Sequence, residues 1–417
     1  MTSIKITRGT KDILPQETYY WQVIEDTARK TLGLANYEQI RTPIFENEEL
    51  FLRSIGENTD IVSKEMYTFT DQGDRKITLR PEGTAGIIRA YIENQLYLNK
   101  SPQRLWYFGP MFRYERPQFG RQRQFHQLGI ECIGNQDSRS DVEVIDMVYR
   151  ILNALEIPNL KLCINSIGDF KDRELYKEAL KHYMEPYKNN LDHDSRKRLQ
   201  NNPLRILDTK DFNTQTILKQ APNILDFISD SSLKRFNKVR EYLELLGIQY
   251  TVDPHLVRGL DYYTHTAFEI KVEEGNNDST ICGGGRYDLL TQQLGGPQTS
   301  AVGCAIGIER ILTLMNQSKK NDQIDFYIAT QGEEAASKSL LVAKTLRDNS
   351  FSVYLDLNNI NFRKQVKRAS KMSAKACIFL GEQECLDRNI TVKWLEKFKQ
   401  DHIQEEKLES YIKYETS

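Results

Sequence analysis

The chain is 417 residues long, 28% of them charged, with a net charge of −1 at pH 7. That length predicts two or three domains, and the balanced charge excludes a global basic field, so contact with nucleic acid must come from local patches. No apolar run approaches the ~20 residues of a membrane span, the polar opening MTSIKITRGTKD is no signal peptide, and the six scattered cysteines (132, 163, 282, 304, 377 and 385) hold no C-x-x-C pair, against zinc and against a disulfide framework.

The expectation is a soluble cytoplasmic protein with free thiols. A loop, Arg8 to Pro15, precedes an amphipathic helix over Gln16–Leu32, and a short strand over Tyr37–Pro43 stops at its proline. Phe45–Asp71 mixes charge and aromatics, with Met66–Phe69 its clearest strand. A strand at Lys76–Leu79 ends in Arg80-Pro-Glu-Gly-Thr84, a helix-start signal, and apolar residues from Ala85 to Leu96 follow at helical spacing. Glu82 and Thr84 either cap that helix or face a cleft and receive an ammonium group.

Tyr107–Glu131 reads as two strands joined by a loop, the first continuing to Glu115, the second starting near Arg123. Side chains alternate faces along a strand. Arg113 and Glu115 therefore share a face of the first strand, and Phe125, Gln127 and Glu131 a face of the second. His126, Leu128 and Ile130 take the opposite face, which makes His126 a packing residue. Arg113 and Glu115 adjoin an apolar run, and charges in such settings are paired or functional.

A helix over Ser140–Leu155 and a strand over Leu160–Ser166 come next. From about 169 to 252 the texture turns polar and glycine-poor, the pattern of an inserted helical module. Asp253–Ile270 returns to strand texture with a second cluster: Arg258, Asp261, Tyr262, Tyr263 and Glu269. Arg258 and Tyr263 have opposite parity, so a bulge at Gly259 is needed if both are to face one pocket. Cys282-Gly-Gly-Gly-Arg-Tyr287 matches no phosphate-loop pattern and predicts tight packing with Tyr287 displayed into a pocket. Ala301–Arg310 is a small-residue strand running into a helix. Asn316–Gln323 is a linker, and 324–417 alternates strands and helices as a small α/β domain with a largely parallel sheet. Its helix 361–373 carries Arg363, Lys364, Lys367, Arg368 and Lys371, a solvated face or an RNA contact.

Arg113-x-Glu115 with the downstream Phe125 resembles motif 2 of the class II aminoacyl-tRNA synthetases, Phe45–Asp71 their motif 1, and Gly307-Ile-Glu-Arg310 their motif 3. Leu256-Val-Arg-Gly-Leu-Asp-Tyr-Tyr263 and Gly284-Gly-Arg-Tyr287 resemble the histidine signatures of the histidyl-tRNA synthetase family, and Arg8-Gly-Thr-x-Asp-x-Leu-Pro15 fits it too. The resemblance implies an α+β fold: an antiparallel sheet flanked by helices over 1–320, a helical insertion at about 169–252, and an anticodon-binding α/β domain over 324–417. Motif 1 in that family forms a long helix, a strand and the dimer interface.

It also implies the reaction: ATP, with Mg2+ on its phosphates, activates L-histidine, and the histidyl group passes to the 3′ end of tRNA(His). By motif, Glu82, Thr84 and Gln127 hold the histidine amino group, and Glu131, Tyr263 and Tyr287 form the imidazole pocket, with Tyr262 beside them. Arg113 and Arg258 flank the α-phosphate, Arg121 reaches the β- and γ-phosphates, Phe125 and Arg310 sandwich adenine, and Glu115 meets its exocyclic amine. Arg116 and Gln118 approach the tRNA acceptor end. The regulatory paralogue of ATP phosphoribosyltransferase is the nearest rival, but it typically lacks the C-terminal domain and has degraded histidine signatures.

Overall fold

The structure, a computed structural model, describes residues 3–56, 59–99, 101–117, 120–274, 277–315, 323–358, 361–397 and 399–416. The chain forms two compact units, residues 1–316 and 317–417. Most of the linker expected at Asn316–Gln323 lies outside the described residues.

In the first unit, helix α1 (Pro15–Gly33) begins on a proline, whose missing N–H costs nothing at a helix start. Strand β1 (Glu38–Gln39) is shorter than expected. The motif 1 block holds β2 (Phe45–Asn47), α2 (Glu48–Ile55), a π-helical turn at Ile61–Glu65 and β3 (Tyr67–Thr70), which pair with β4 (Lys76–Leu79) as a three-stranded sheet. Among the described residues of this block the longest helix has eight residues, shorter than the long helix the resemblance implies. Glycine at 56, with φ 97°, ends that helix early.

Helix α3 (Thr84–Glu93) leads to β5 (Gln103–Phe112), β6 (Gln124–Ile133), α4 (Ser138–Ala154) and β7 (Leu160–Ser166). The helical stretch follows: α5 (Phe170–Met184), α6 (His193–Asn201), α7 (Phe212–Leu218) and α8 (Asp230–Leu245), then β8 (Tyr250–Val252), β9 (Thr264–Glu274), β10 (Asn277–Arg286), α9 (Leu290–Gln293), β11 (Ala301–Gly307) and α10 (Ile308–Leu314).

The main sheet runs β1-β5-β6-β11-β10-β9-β7-β8. Its six central strands are antiparallel, and the short edge strands β1 and β8 pair in parallel. One face carries α1, α4 and α8 over a core of Leu32, Trp106, Leu128, Ile145, Phe236 and Phe268. The other buries Ile88, Tyr107, Tyr176, Tyr262, Tyr263 and Tyr287. Phe236, Val239 and Leu243 of α8 belong to the first core, and β8 pairs with β7. The last helix and strand of 169–252 are thus layers of the main fold rather than insertion. The helical spacing of Phe236, Val239, Tyr242, Leu243 and Leu246 predicts the helix, and its apolar stripe faces the main sheet's core.

In the second unit β12 (Phe326–Thr330), α11 (Glu333–Asp348), β13 (Val353–Leu355), α12 (Phe362–Lys371), β14 (Ala376–Leu380), α13 (Glu382–Leu386), β15 (Asn389–Trp394), β16 (Lys399–Gln404) and α14 (Leu408–Thr416) build a sheet ordered β13-β12-β14-β15-β16. Its first two pairings are parallel and its last two antiparallel. The sheet is therefore mixed, not largely parallel. The missed strand, KQDHIQ, is a polar edge of the kind that resists aggregation. Among the described residues no helix is long and apolar enough to cross a membrane.

Candidate active site

The hairpin β5–β6 supplies the floor. Its register pairs Phe112 with Gln124, and Arg113, Tyr114 and Glu115 lie just past the strand end rather than on it. They are tied down from several sides. The Arg113 N–H donates to the Arg123 carbonyl at 2.9 Å, Arg123 N–H to Gly9 at 2.7 Å, and Tyr114 N–H to Glu65 at 2.7 Å. The opening Arg8-Gly-Thr segment thus packs on the hairpin, where a Cβ at Gly9 would lie 2.7 Å from Arg123 Cγ. Arg80 Nε donates to the Pro110 carbonyl at 2.9 Å, and Arg113 Nε to Pro81 at 2.9 Å. These bonds fasten the Arg80–Thr84 turn beside the hairpin.

Odd positions of β6 face the site and even ones the helices. His126 takes the packing role: its N–H and Nδ1 meet the Glu309 carboxylate at 2.9 Å, and its ring stands edge-on to Trp21. Glu131 is fully buried. It accepts from Thr84 Oγ1 at 2.7 Å and from the Tyr287 hydroxyl. Burial raises its carboxyl to about 8, the two hydroxyl donors opposing and Glu82 adding to the rise. A glycine makes this possible. Gly303 faces Glu131 across β11, and a Cβ there would fall on the carboxylate. Tyr262, Tyr263 and Tyr287 cluster around it, Tyr262 lying 4.7 Å from Tyr263 and 5.7 Å from Tyr287 between ring centroids. Burial pushes Tyr263 up to about 12.

Glu82 caps as well as faces the site. Its oxygens accept from the N–H groups of Thr84 (2.7 Å) and Ala85 (2.8 Å), and burial raises its carboxyl. Gln127 Oε1 and the Tyr107 hydroxyl are buried with no protein partner among the described residues. Such orphaned polar atoms are costly unless a ligand meets them. Tyr107 was missed by sequence reasoning. Its signal lies in Gly83 and Gly129, whose absent side chains leave room for its ring.

Arg258 does not sit on a strand. Residues 253–263 are turn and irregular backbone, so no bulge at Gly259 is needed for Arg258 and Tyr263 to share a side. Arg173 of α5 holds this loop, its Nη1 donating to the carbonyls of Asp261 (2.8 Å) and Tyr263 (3.1 Å). The Arg258 guanidinium pairs with Glu269, lies 6.0 Å from the Tyr263 ring, and occupies the space a side chain at Gly283 would take. Glu269 in turn accepts from Thr280 Oγ1 at 3.1 Å and lies 3.7 Å from Lys271. Arg286, fully buried, donates its Nε to both oxygens of buried Asp141 at 3.2 Å and Nη1 to the Asn135 carbonyl at 2.9 Å, fixing the turn that displays Tyr287.

At the other end, Arg121 pairs with Glu115 at 3.0 Å, and Arg113 lies 3.9 Å from Glu115. The guanidinium over Phe125 is that of Arg113, 5.2 Å from the ring centroid, while Arg310 donates to the Thr280 carbonyl. Arg116 is exposed, and Gln118 lies outside the described residues.

The arrangement joins a polar, desolvated pocket to a row of arginines, a setting for a small zwitterion beside polyphosphate. The family model for histidyl-tRNA synthetase matches residues 9–311, and an anticodon-binding domain matches 325–415. The chain belongs to the histidyl-tRNA synthetase family. It is 54% identical over 416 residues to the chloroplastic histidine–tRNA ligase of Pyropia yezoensis, covering 99% of this chain and 97% of that one. To the histidine–tRNA ligase of Acaryochloris marina it is 53% identical over 405 residues, covering 97% and 94%. The apo histidyl-tRNA synthetase of S. aureus superposes with a TM-score of 0.82 at 39% identity, covering 98% and 99% of the two chains. Membership makes the chain an enzyme of the ligase class, one that joins histidine to tRNA.

Proposed function

We propose that the chain activates L-histidine with ATP to histidyl-adenylate and passes the histidyl group to the 3′ end of tRNA(His), working as a cytoplasmic homodimer. The observation that carries this reading is the buried Glu131, held by Thr84 and Tyr287 on the strand face where Gln127 Oε1 waits unpaired. Neutral imidazole offers one donor and one acceptor, and a carboxyl group flanked by Tyr263 and Tyr287 answers both. An isostere would leave these groups unpaired, so discrimination should be steep. Glu82, Thr84 and Gln127 receive the ammonium group, with Tyr262 walling the pocket.

In activation a histidine carboxylate oxygen attacks the α-phosphorus and pyrophosphate leaves, a step that needs position and charge neutralisation more than covalent help. Arg113 and Arg258 flank the α-phosphate, Arg258 oriented by Glu269. Arg121 exchanges Glu115 for the β- and γ-phosphates, and Glu115 turns to the exocyclic amine of adenine. Phe125 and Arg310 close on the base as Arg113 moves to phosphate. Arg116 and Gln118 approach the tRNA acceptor end. Among the described residues no group of three His, Cys, Asp or Glu side chains is gathered to cage an ion. Mg2+ accompanies ATP in this reading, shielding phosphate charge. Residues 1–320 carry the chemistry, and 324–417, with the exposed Arg363, Lys364, Lys367, Arg368 and Lys371, bind the anticodon region.

The test is ATP–pyrophosphate exchange with each amino acid in turn, without tRNA, followed by charging. Exchange with histidine alone is expected. Exchange with another amino acid would mean the pocket around Glu131 has been misread, and none with any would move the chain to a regulatory role.

A further inference from the structure

Strand β13 closes one end of the second unit's sheet, with β12 its one neighbour among the described residues. Tyr354 stands opposite Tyr327 in that pairing, so both side chains leave the same face of the sheet, the one α12 covers. Their rings stack, 5.2 Å between centroids at an interplanar angle of 22°, close to the ~4.8 Å step from strand to strand. Tyr327 is fully buried, whereas Tyr354 is 37% exposed. The ladder of rings stops where the sheet stops, and it leaves one face of Tyr354 open.

The stack is braced from the inside. The Tyr327 hydroxyl donates to Asp356, whose carboxylate is wholly buried. Asp356 also accepts from the Asn358 N–H and Nδ2, each at 2.8 Å, and from Arg368 Nη1 at 3.3 Å. Several donors on one buried carboxylate make a stiff mount for Tyr327, and Tyr354 leans on it. Because Arg368 reaches the end of β13, the flank of α12 that carries it lies towards that edge. Lys364 and Lys371, one helical turn to either side, share the flank. Both are exposed and have no ion pair among the described residues, so the surroundings of the open ring are positive.

A single strand of nucleic acid is held in this way, its backbone by cations and its bases on aromatic faces. A base within a duplex has both faces covered, so the ring requires an unpaired one. An acidic peptide would satisfy the lysines but would leave the ring face unused. We infer that Tyr354 stacks an unpaired base of the tRNA anticodon loop, with Lys364 and Lys371 on the phosphates beside it. The inference rests on the reading of 324–417 as the anticodon-binding domain and adds the residue that holds a base there. Stacking accepts any base, so Tyr354 supplies affinity and leaves the choice of base to other groups.

The experiment uses the full chain and tRNA(His) transcripts with 2-aminopurine at one anticodon-loop position at a time. Stacking quenches this fluorescent base. One transcript should dim on binding wild type and stay bright when saturated with Tyr354→Ala. That variant should bind tRNA about tenfold more weakly, the size of one base–aromatic stack, while Tyr354→Phe, which keeps the ring, should match wild type. Tyr354→Val, ringless but suited to a strand, carries the test if the alanine variant melts early. The double variant Lys364→Gln/Lys371→Gln should lower the salt dependence of binding, which Tyr354→Ala should leave as it is. Quenching that persists without the ring, or wild-type affinity in a folded ringless variant, overturns the stack and leaves the anticodon reading standing. A minihelix lacking the anticodon arm that binds as tightly as whole tRNA removes that reading, and this inference with it.

Discussion

Gly303→Ala tests the construction of the histidine pocket most directly, because it adds one methyl group and no polarity. The new Cβ would overlap the Glu131 carboxylate, lying 2.6 Å from its Cδ and 2.7 Å from the Ile130 carbonyl oxygen. The carbonyl belongs to the paired strand β6 and has nowhere to go. The carboxyl group must swing away, giving up the hydrogen bonds from Thr84 and Tyr287. At about 1.5–3 kcal/mol for each bond to a charged group, and about half that for a protonated one, the loss is on the order of 2–5 kcal/mol. Histidine depends on the same carboxyl position, so its KM in pyrophosphate exchange should rise by ~10²-fold or more. The KM for ATP should move little, since the arginines assigned to phosphate pair with Glu115 and Glu269 rather than with Glu131. Circular dichroism melting in parallel separates a lost pocket from a lost fold. A histidine KM close to that of wild type in a folded Gly303→Ala protein would refute the reasoning.

Arg258→Ala should slow histidine-dependent exchange by ~10²-fold or more, the scale of one preorganised transition-state contact, with tRNA binding by filter assay intact; unchanged exchange would remove Arg258 from the phosphate site. Asp141→Asn removes the fully buried one of the two carboxylates on Arg286, leaving only Asp288 at 3.2 Å, which should cost about 3 kcal/mol of stability in urea unfolding and raise the histidine KM through Tyr287; a variant as stable as wild type would show that Asp288 and the carbonyls satisfy Arg286. The fold raises the Glu131 carboxyl from its ordinary 4.5 to about 8, so the native state holds a proton that the unfolded chain releases. Its stabilising effect is complete below about 4.5 and fades as pH rises towards 8, by about 1.4 kcal/mol per unit. The ligand-free melting temperature should therefore fall less steeply across that window in Glu131→Gln than in wild type, and parallel profiles would contradict the assignment.

Period-2 alternation made β4, β5, β6 and β7 legible to within a few residues, and the parity of β6 sorted Glu131 and Gln127 from His126 because a strand has only two faces. The loop 253–263 misled for a physical reason. Its apolar residues suggested a buried strand, yet it is buried as irregular backbone whose carbonyls are satisfied by Arg173, some 90 residues away in sequence. No local pattern carries that information. Glu82 and Thr84 had two readings, helix cap or ligand group, and Glu82 meets both descriptions because the capping turn lies in the pocket wall. The apolar spacing of α8 was legible, but not that its stripe packs on the main sheet, and the distant partners of Arg286 lie in a helix start some 150 residues earlier.

The glycines at 283 and 303, whose missing side chains leave room for Arg258 and Glu131, set a limit on what this pocket can become. On the sheet side its volume is made by atoms that are missing, and glycine has none left to remove. Substitution along β10 and β11 can therefore only shrink the chamber. A bulkier histidine analogue would have to be admitted through the opposite wall, where Tyr262, Tyr263 and Tyr287 still have rings to give up. Efforts to widen the substrate range belong on the tyrosines, and efforts to tighten it belong on the strands.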